Sequence, residues 1–150
     1  MKKRLTISAV ILSAAVLLLS AAGCSGESKA KEYQNGTYTG RSSDFKEDEE
    51  GNGSGYGEVE IEIKDNKITA CTFKMYELDG TLKDENYGAG LTQENRLKAQ
   101  KAVQSAGKYS ALIEKSGSLE GVDAISGATI SYEELKEAVN DALKKAEKTE

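Results

Sequence analysis

The 150-residue chain contains no histidine, no proline and no tryptophan, and it has two cysteines. Without histidine there is no Ser–His or Cys–His nucleophile pair and no imidazole ligand for a metal. The missing proline and tryptophan decide nothing by themselves. Neither a GxGxxG nor a GxxxxGK[ST] run occurs, so the ordinary dinucleotide and nucleotide cradles are unsupported. Carboxylates are numerous, but none is set apart by an apolar surround or by a spacing that implies a shifted pKa. Asp44, Glu47, Asp48, Glu49 and Glu50 do not follow the ligand spacing of a calcium loop and read as a solvated acidic loop.

What is present begins with a processing signal. Lys2, Lys3 and Arg4 precede an almost wholly apolar run from Leu5 to Leu19, and Ser20-Ala21-Ala22-Gly23 brings small residues up to Cys24. This is the order of a secretory signal, and the run is short for a membrane span, which needs ~20 residues. Ala21-Ala22-Gly23-Cys24 resembles the lipobox of bacterial lipoproteins, with Ala21 where leucine is common. The resemblance implies cleavage before Cys24, lipidation of that residue, and a chain held to the extracytoplasmic face of the cell membrane. An ordinary secreted protein cut near Gly23, or an uncleaved anchor, are the alternatives. Loss of residues 1–23 shifts the net charge from −5 to −8, which argues against nucleic acid as a partner. It also leaves the lipid on Cys24, not surface charge, to engage the bilayer. With Cys24 acylated, Cys71 stands alone and an intrachain disulfide is not expected. The expected division is a signal peptide at 1–23, a lipidated tether at 24–32 and one domain at 33–150.

Within that domain Thr37 to Gly40 reads as a short strand, and residues 42–55 as a loop whose one large apolar group is Phe45. Tyr56 to Lys64 alternates, with Val59, Ile61 and Ile63 on one face and Glu58, Glu60, Glu62 and Lys64 on the other. After a turn at Asp65-Asn66-Lys67, Ile68 to Tyr76 forms the second arm of a hairpin. The alternation places Cys71, Phe73 and Met75 inward and Ile68, Ala70 and Thr72 outward. Cys71 is then a small core hydrophobe. The stretch 86–90, Asn-Tyr-Gly-Ala-Gly, is either a flexible connection or a loop lying against a flat ligand. A helix follows from Thr92, with Leu97, Ala102, Val103, Ala106, Tyr109 and Ile113 on its apolar side, Lys98 and Lys101 opposite, and a break possible at Gly107. Leu119 to Ile125 suggests a brief strand. The last helix carries the stripe Leu135, Ala138, Val139, Ala142, Leu143 and Ala146, with Ser131 and Glu134 at capping-box spacing. The class is α+β: a small, mostly antiparallel sheet packed against two helices.

The stretch before that last helix carries the functional reading. In Asp123-Ala124-Ile125-Ser126-Gly127-Ala128-Thr129, small residues sit between hydroxyls beside a helix start. Such a stretch is either an ordinary turn and cap or a place where a phosphate meets backbone N–H groups and a hydroxyl. Asp123-x-x-Ser126-Gly127-Ala128-Thr129 resembles the flavinylation motif of the bacterial FMN-binding domain family. That family includes subunits of the sodium-pumping NADH:quinone reductase and of the Rnf complex, and lipoproteins of extracellular electron transfer. Asn35-Gly36-Thr37-Tyr38-Thr39-Gly40 resembles the family's opening strand, with Asn35 in place of Asp, and the likeness spans about residues 33–146.

The resemblance implies FMN joined through its phosphate to Thr129, with Asp123, Ser126, Gly127 and Ala128 shaping the site. It implies a FAD:protein FMN transferase as the partner that makes the bond, using FAD and Mg²⁺. The stretch 85–90 takes the place of the family's Glu-Thr-Pro-Gly-Leu-Gly loop, with Asn86 and Tyr87 for Thr and Pro, which implies flavin contact by Tyr87, Gly88 and Gly90. The expected function is an electron carrier, not an enzyme, working with membrane quinone- or flavin-linked redox partners. Non-covalent binding of FMN or another ligand, or a structural role for the lipoprotein, are the alternatives. On this reading Ser131 caps the helix and leaves Thr129 free for attachment, with Ser131 as the rival acceptor.

Overall fold

A computed structural model describes residues 31–47 and 53–148. The signal segment, Cys24, residues 24–30 of the expected tether and residues 48–52 of the acidic loop lie outside the described residues. Three strands, β1 (Gly36–Arg41), β2 (Tyr56–Lys64) and β3 (Lys67–Tyr76), form an antiparallel sheet in the order β1-β2-β3. Two helices, α1 (Gln93–Ser116) and α2 (Thr129–Ala146), complete the α+β fold. Alternation decides which face they cover. Val59, Ile61 and Ile63 are buried, while Glu60, Glu62 and Lys64 stay in water. Helix α2 packs over β1 and β2, and α1 packs over β3. Of the stripe on α2, Leu135, Ala138, Val139, Ala142 and Ala146 are fully buried and Leu143 is partly buried. Its small residues let the helix settle onto the β1 backbone, so a Cβ at Gly40 would stand 1.9 Å from the Ala138 carbonyl oxygen.

The β2–β3 connection is a two-residue turn with Asp65 at φ +50° and Asn66 at φ +63°, the left-handed pair that a tight hairpin requires. One strand residue differs from simple alternation. The register slips between Glu62 and Ile63, pairing Glu62 with Ala70 but Ile63 with Ile68. Thr69 is the extra residue, and the bulge turns Ile68 inward beside Cys71, so Ile68 belongs to the core and not to the outer face.

Both sheet edges are occupied by helix side chains. On β1 the Arg41 N–H donates to Asp141 Oδ2 at 3.1 Å, Lys145 Nζ donates to the Thr39 carbonyl at 2.8 Å, and just beyond the strand Ser43 N–H donates to Glu137 Oε2 at 2.8 Å. On β3 the Cys71 and Phe73 N–H groups donate to Glu114 Oε1 and Ser110 Oγ, each at 3.0 Å.

Four further expectations change. Helix α1 runs unbroken through Gly107, whose exposed position faces open space, so the glycine costs helix propensity alone, ~1 kcal/mol. Leu97 is 66% exposed; the inward side of α1 is carried by Ser105, Tyr109 and Ile113. Residues 119–125 form no strand but a turn-rich connection, with Val122 buried and its N–H donating to Leu119 O at 3.3 Å. Phe45, expected in a plain loop, pairs with Gly55 through two backbone hydrogen bonds of 2.8 and 2.9 Å.

Candidate functional site

Two loops hang on α1. The first, residues 84–91, is a succession of turns: Tyr87 N–H to Asp84 O, Ala89 N–H to Asn86 O and Leu91 N–H to Gly88 O, each at 3.0 Å. Asp84 Oδ1 also accepts from Asn86 N–H at 2.8 Å, an Asx turn that sets the bend. Gln100 of α1 clamps this loop by donating to the Tyr87 carbonyl at 2.7 Å. Gly88 sits at φ +82° with its α-carbon against α1, where a Cβ would fall 2.9 Å from the Ala99 Cβ.

The second loop carries the Ser-Gly-Ala-Thr motif. Ala128 N–H closes a turn onto Ile125 O at 2.9 Å, and Gly127 takes φ +77° within it, a conformation glycine adopts without strain. Tyr109, fully buried on α1, grips the turn from below. Its hydroxyl accepts from Ile125 N–H at 2.8 Å and donates to Ala128 O at 3.1 Å. Tyr132 Oη donates to Val122 O at 2.6 Å on the approach to the motif.

The start of α2 differs from the capping-box expectation. The helix begins at Thr129, the residue at its N-cap position is Ala128, and no side chain caps it. Ser131 and Glu134 are inside the helix and 3% and 2% exposed. Their i, i+3 spacing places two polar groups on one inward face; it does not close a box. Ser131 therefore does not do the capping that was to release Thr129. The first N–H returned to the helix ladder is that of Tyr132, to Ala128 O at 3.1 Å, so those of Thr129, Ile130 and Ser131 precede it. The first turn holds no acidic residue, and Thr129 is exposed.

These elements enclose a cleft of about 970 Å³. Tyr87, Gly88 and Gly90 line one part of it, and Gly127, Ala128 and Thr129 another, so six of the motif and loop residues named from the sequence meet around one space. Asp123 and Ser126 are exposed and do not line it. Gly53 and Gly55 leave room for neighbouring side chains: a Cβ at Gly53 would fall 2.4 Å from Tyr87 Oη, and one at Gly55 2.5 Å from Lys83 Nζ.

Three lysines stand in or beside the cleft, which Glu47, Glu77 and Glu134 also line. Lys98 lines it, and Lys101 lies across Gly127, where a Cβ would come 2.7 Å from its Nζ. Both stay exposed on the solvent side of α1, as their spacing implies, and the return of the motif loop brings Gly127 against Lys101. The third, Lys83, lies in the irregular segment after β3, is 9% exposed and stands 5.0 Å from the centre of the Tyr87 ring. Burial pushes its pKa down, while Glu134 and Glu77 pull it up. Glu134 is the counterpart: burial pushes its carboxyl up to about 7, Lys83 lowers it, and Glu137 one turn away raises it. Burial first, then Glu77, Glu134 and Glu47, push the Tyr87 phenol up.

The residues present suit a planar anionic group: an aromatic ring and glycines for a flat face, backbone N–H groups and lysines for a phosphate. Among the described residues there is no cluster of three or more metal-ligating side chains, and no helix is long and apolar enough to cross a membrane.

A family model described as FMN-binding domain matches residues 52–144, from the loop before β2 to near the end of α2. The structure is similar to the crystal structure of the CPE2226 protein from Clostridium perfringens, with a TM-score of 0.53 and 24% identity over 77% of this chain and 89% of that one. A comparison with curated proteins finds no match.

Proposed function

The chain belongs to the FMN-binding domain family, and on that premise we propose that it is an electron carrier whose FMN is attached by a phosphoester to Thr129. The observation that carries the attachment site is the start of α2: an uncapped, acid-free helix end opening on the cleft, with an exposed threonine hydroxyl as its first residue. Helix N–H groups and their dipole favour a phosphate there, and Lys101 adds charge beside Gly127. Gly127 and Ala128 keep bulk away from the backbone the phosphate approaches. Tyr87, Gly88 and Gly90 also line the cleft and would offer a flat ring an aromatic face and bare backbone.

Attachment needs a FAD:protein FMN transferase. The Thr129 oxygen bonds to the flavin-side phosphorus of FAD, the pyrophosphate bond breaks, and AMP leaves with the Thr129 proton passing to solvent. Asp123 and Ser126 of the motif are exposed and do not line the cleft, which supports a role in recognition by that enzyme. Bound FMN supplies one- and two-electron chemistry; the chain supplies attachment, position and electrostatic tuning. Lipidation at Cys24 would place the carrier on the extracytoplasmic face, within reach of quinone- or flavin-linked redox partners in the membrane, and covalent linkage would retain a cofactor no external pool replaces.

Co-expression with the transferase tests this. The expected result is a mass gain equal to FMN minus water that survives denaturation, maps to Thr129, and is lost in Thr129→Ala while the fold stays intact. Flavin released on denaturation points instead to a non-covalent binding module. Flavin mapped to Ser131 moves the attachment point but keeps the carrier.

A further inference from the structure

Glu134 is 2% exposed, lines the cleft, and its Oε1 has no hydrogen-bond partner. Burying a carboxylate oxygen without a partner costs free energy, and a hydrophobic side chain would avoid that cost. The nearest compensation, Lys83, lines the same cleft but forms no ion pair with Glu134 within 4 Å among the described residues. An acid and a base thus face one space and leave each other unpaired. The room around them is kept by glycine: a Cβ at Gly57 would stand 2.9 Å from the Glu134 Cβ, and one at Gly55 would strike Lys83.

Resting on the flavin-carrier reading, we propose that Glu134 is the redox-linked proton site of the cleft, taking a proton from solvent when the bound flavin is reduced and returning it on oxidation. Where two electrons from a reduced flavin or quinol partner and one proton from water reduce a bound flavin, the cleft would gain one negative charge. That charge draws a second proton from water onto the Glu134 carboxylate, and no bond to Glu134 forms or breaks except its O–H. Lys83, held in the same space, opposes the charge electrostatically and sets where Glu134 titrates. The groups that bear on this titration are Lys83 and, behind it, Glu77, from the segment after β3; Tyr87 with Glu47 beyond it; and Glu137 on α2 itself. Glu134 changes charge near neutral pH, where a proton site can respond to either redox state.

The test is the pH dependence of the flavin midpoint potential in the transferase-loaded full chain, poised with dithionite and mediators from pH 5.5 to 8.5. One extra proton per two electrons changes the reduced-to-oxidised ratio tenfold more per pH unit, an added slope of ~30 mV. The expected result is a region of added slope near pH 7 that is absent in Glu134→Gln and displaced to higher pH in Lys83→Met. A slope unchanged by Glu134→Gln in a flavin-loaded protein overturns the proposal and leaves the carrier reading intact. A second readout needs no flavin: in the chain labelled with ¹³C at glutamate Cδ, the resonance missing from Glu134→Gln should titrate between pH 6 and 8. Titration of that resonance below pH 5 overturns the proposal, whereas failure of the wild-type chain to load flavin overturns the carrier reading and the proposal with it.

Discussion

The hydroxyl of Tyr109 bonds the carbonyl of Ala128 at 3.1 Å, so the residue preceding Thr129 is held by a helix that begins 35 residues before that residue. The same hydroxyl accepts from Ile125 N–H, and both contacts are made from a fully buried ring. Tyr109→Phe leaves the part-buried Ile125 N–H unpaired and takes one of two donors from the Ala128 carbonyl, which keeps that of Tyr132, while keeping the ring. We expect a loss of about 1–3 kcal/mol in urea denaturation and slower flavin loading, because the turn before Thr129 loses its support. Unchanged stability would show that the hydroxyl does not hold the turn.

Gly40 is where α2 meets the sheet backbone. A Cβ there falls 1.9 Å from Ala138 O and 2.6 Å from Ala142 N, both backbone atoms that cannot turn aside. Gly40→Ala should displace α2 and lower stability by more than about 3 kcal/mol, measured as a reduced urea midpoint or as loss of soluble protein. At Gly107, where nothing lies within 4 Å, the same substitution should stabilise by up to about 1 kcal/mol through helix propensity.

Stability should fall from pH 4.5 to 7. The folded-state pKa of Glu134, about 7, is raised above its ordinary 4.5, so between these values the native state keeps a proton that the unfolded chain releases. Unfolding is then favoured by each rise in pH within the window, by about 1.4 kcal/mol per unit and at most about 3 kcal/mol, with no further change from this group above it. Glu134→Gln should flatten that part of the profile in parallel urea titrations and be the more stable protein at pH 8. Equal slopes in the two proteins would refute the assignment.

Cys71 should resist alkylation in the native state. Its thiol is buried in the core and burial pushes its pKa up to about 11, with Glu114 adding to the rise. Iodoacetamide at pH 8 should modify the Cys71 peptide only after unfolding, as read by mass spectrometry. Labelling at equal rates with and without denaturant would contradict its core position.

What could be read from the sequence was local in origin. The alternation of Val59, Ile61 and Ile63 and the five-residue stripe of α2 each need only their own element's period to declare a buried face. Ile68 escaped because one extra residue, Thr69, enters the ladder, and nothing in the alternating pattern marks a bulge. Ser131 and Glu134 escaped because an i, i+3 pair of polar residues has the same spacing whether it caps a helix or faces inward; tertiary packing decides. Lys101 looks like a solvent lysine on α1, and only the path of residues 123–128 brings Gly127 beneath it. Lys83 lies in a segment with no period to read. The motif residues were visible as a string, while the charged groups that tune the cleft became visible only in three dimensions.

The side chains on the two sheet edges have one more consequence. Arg41, Ser43, Cys71 and Phe73 have already spent their outward N–H groups on carboxylates and a hydroxyl from the helices. A strand from another molecule would have to displace those partners before it could add to the sheet. Wherever copies of a chain meet at high local concentration, open sheet edges are where they polymerise. At these four positions crowding meets N–H groups that are already paired.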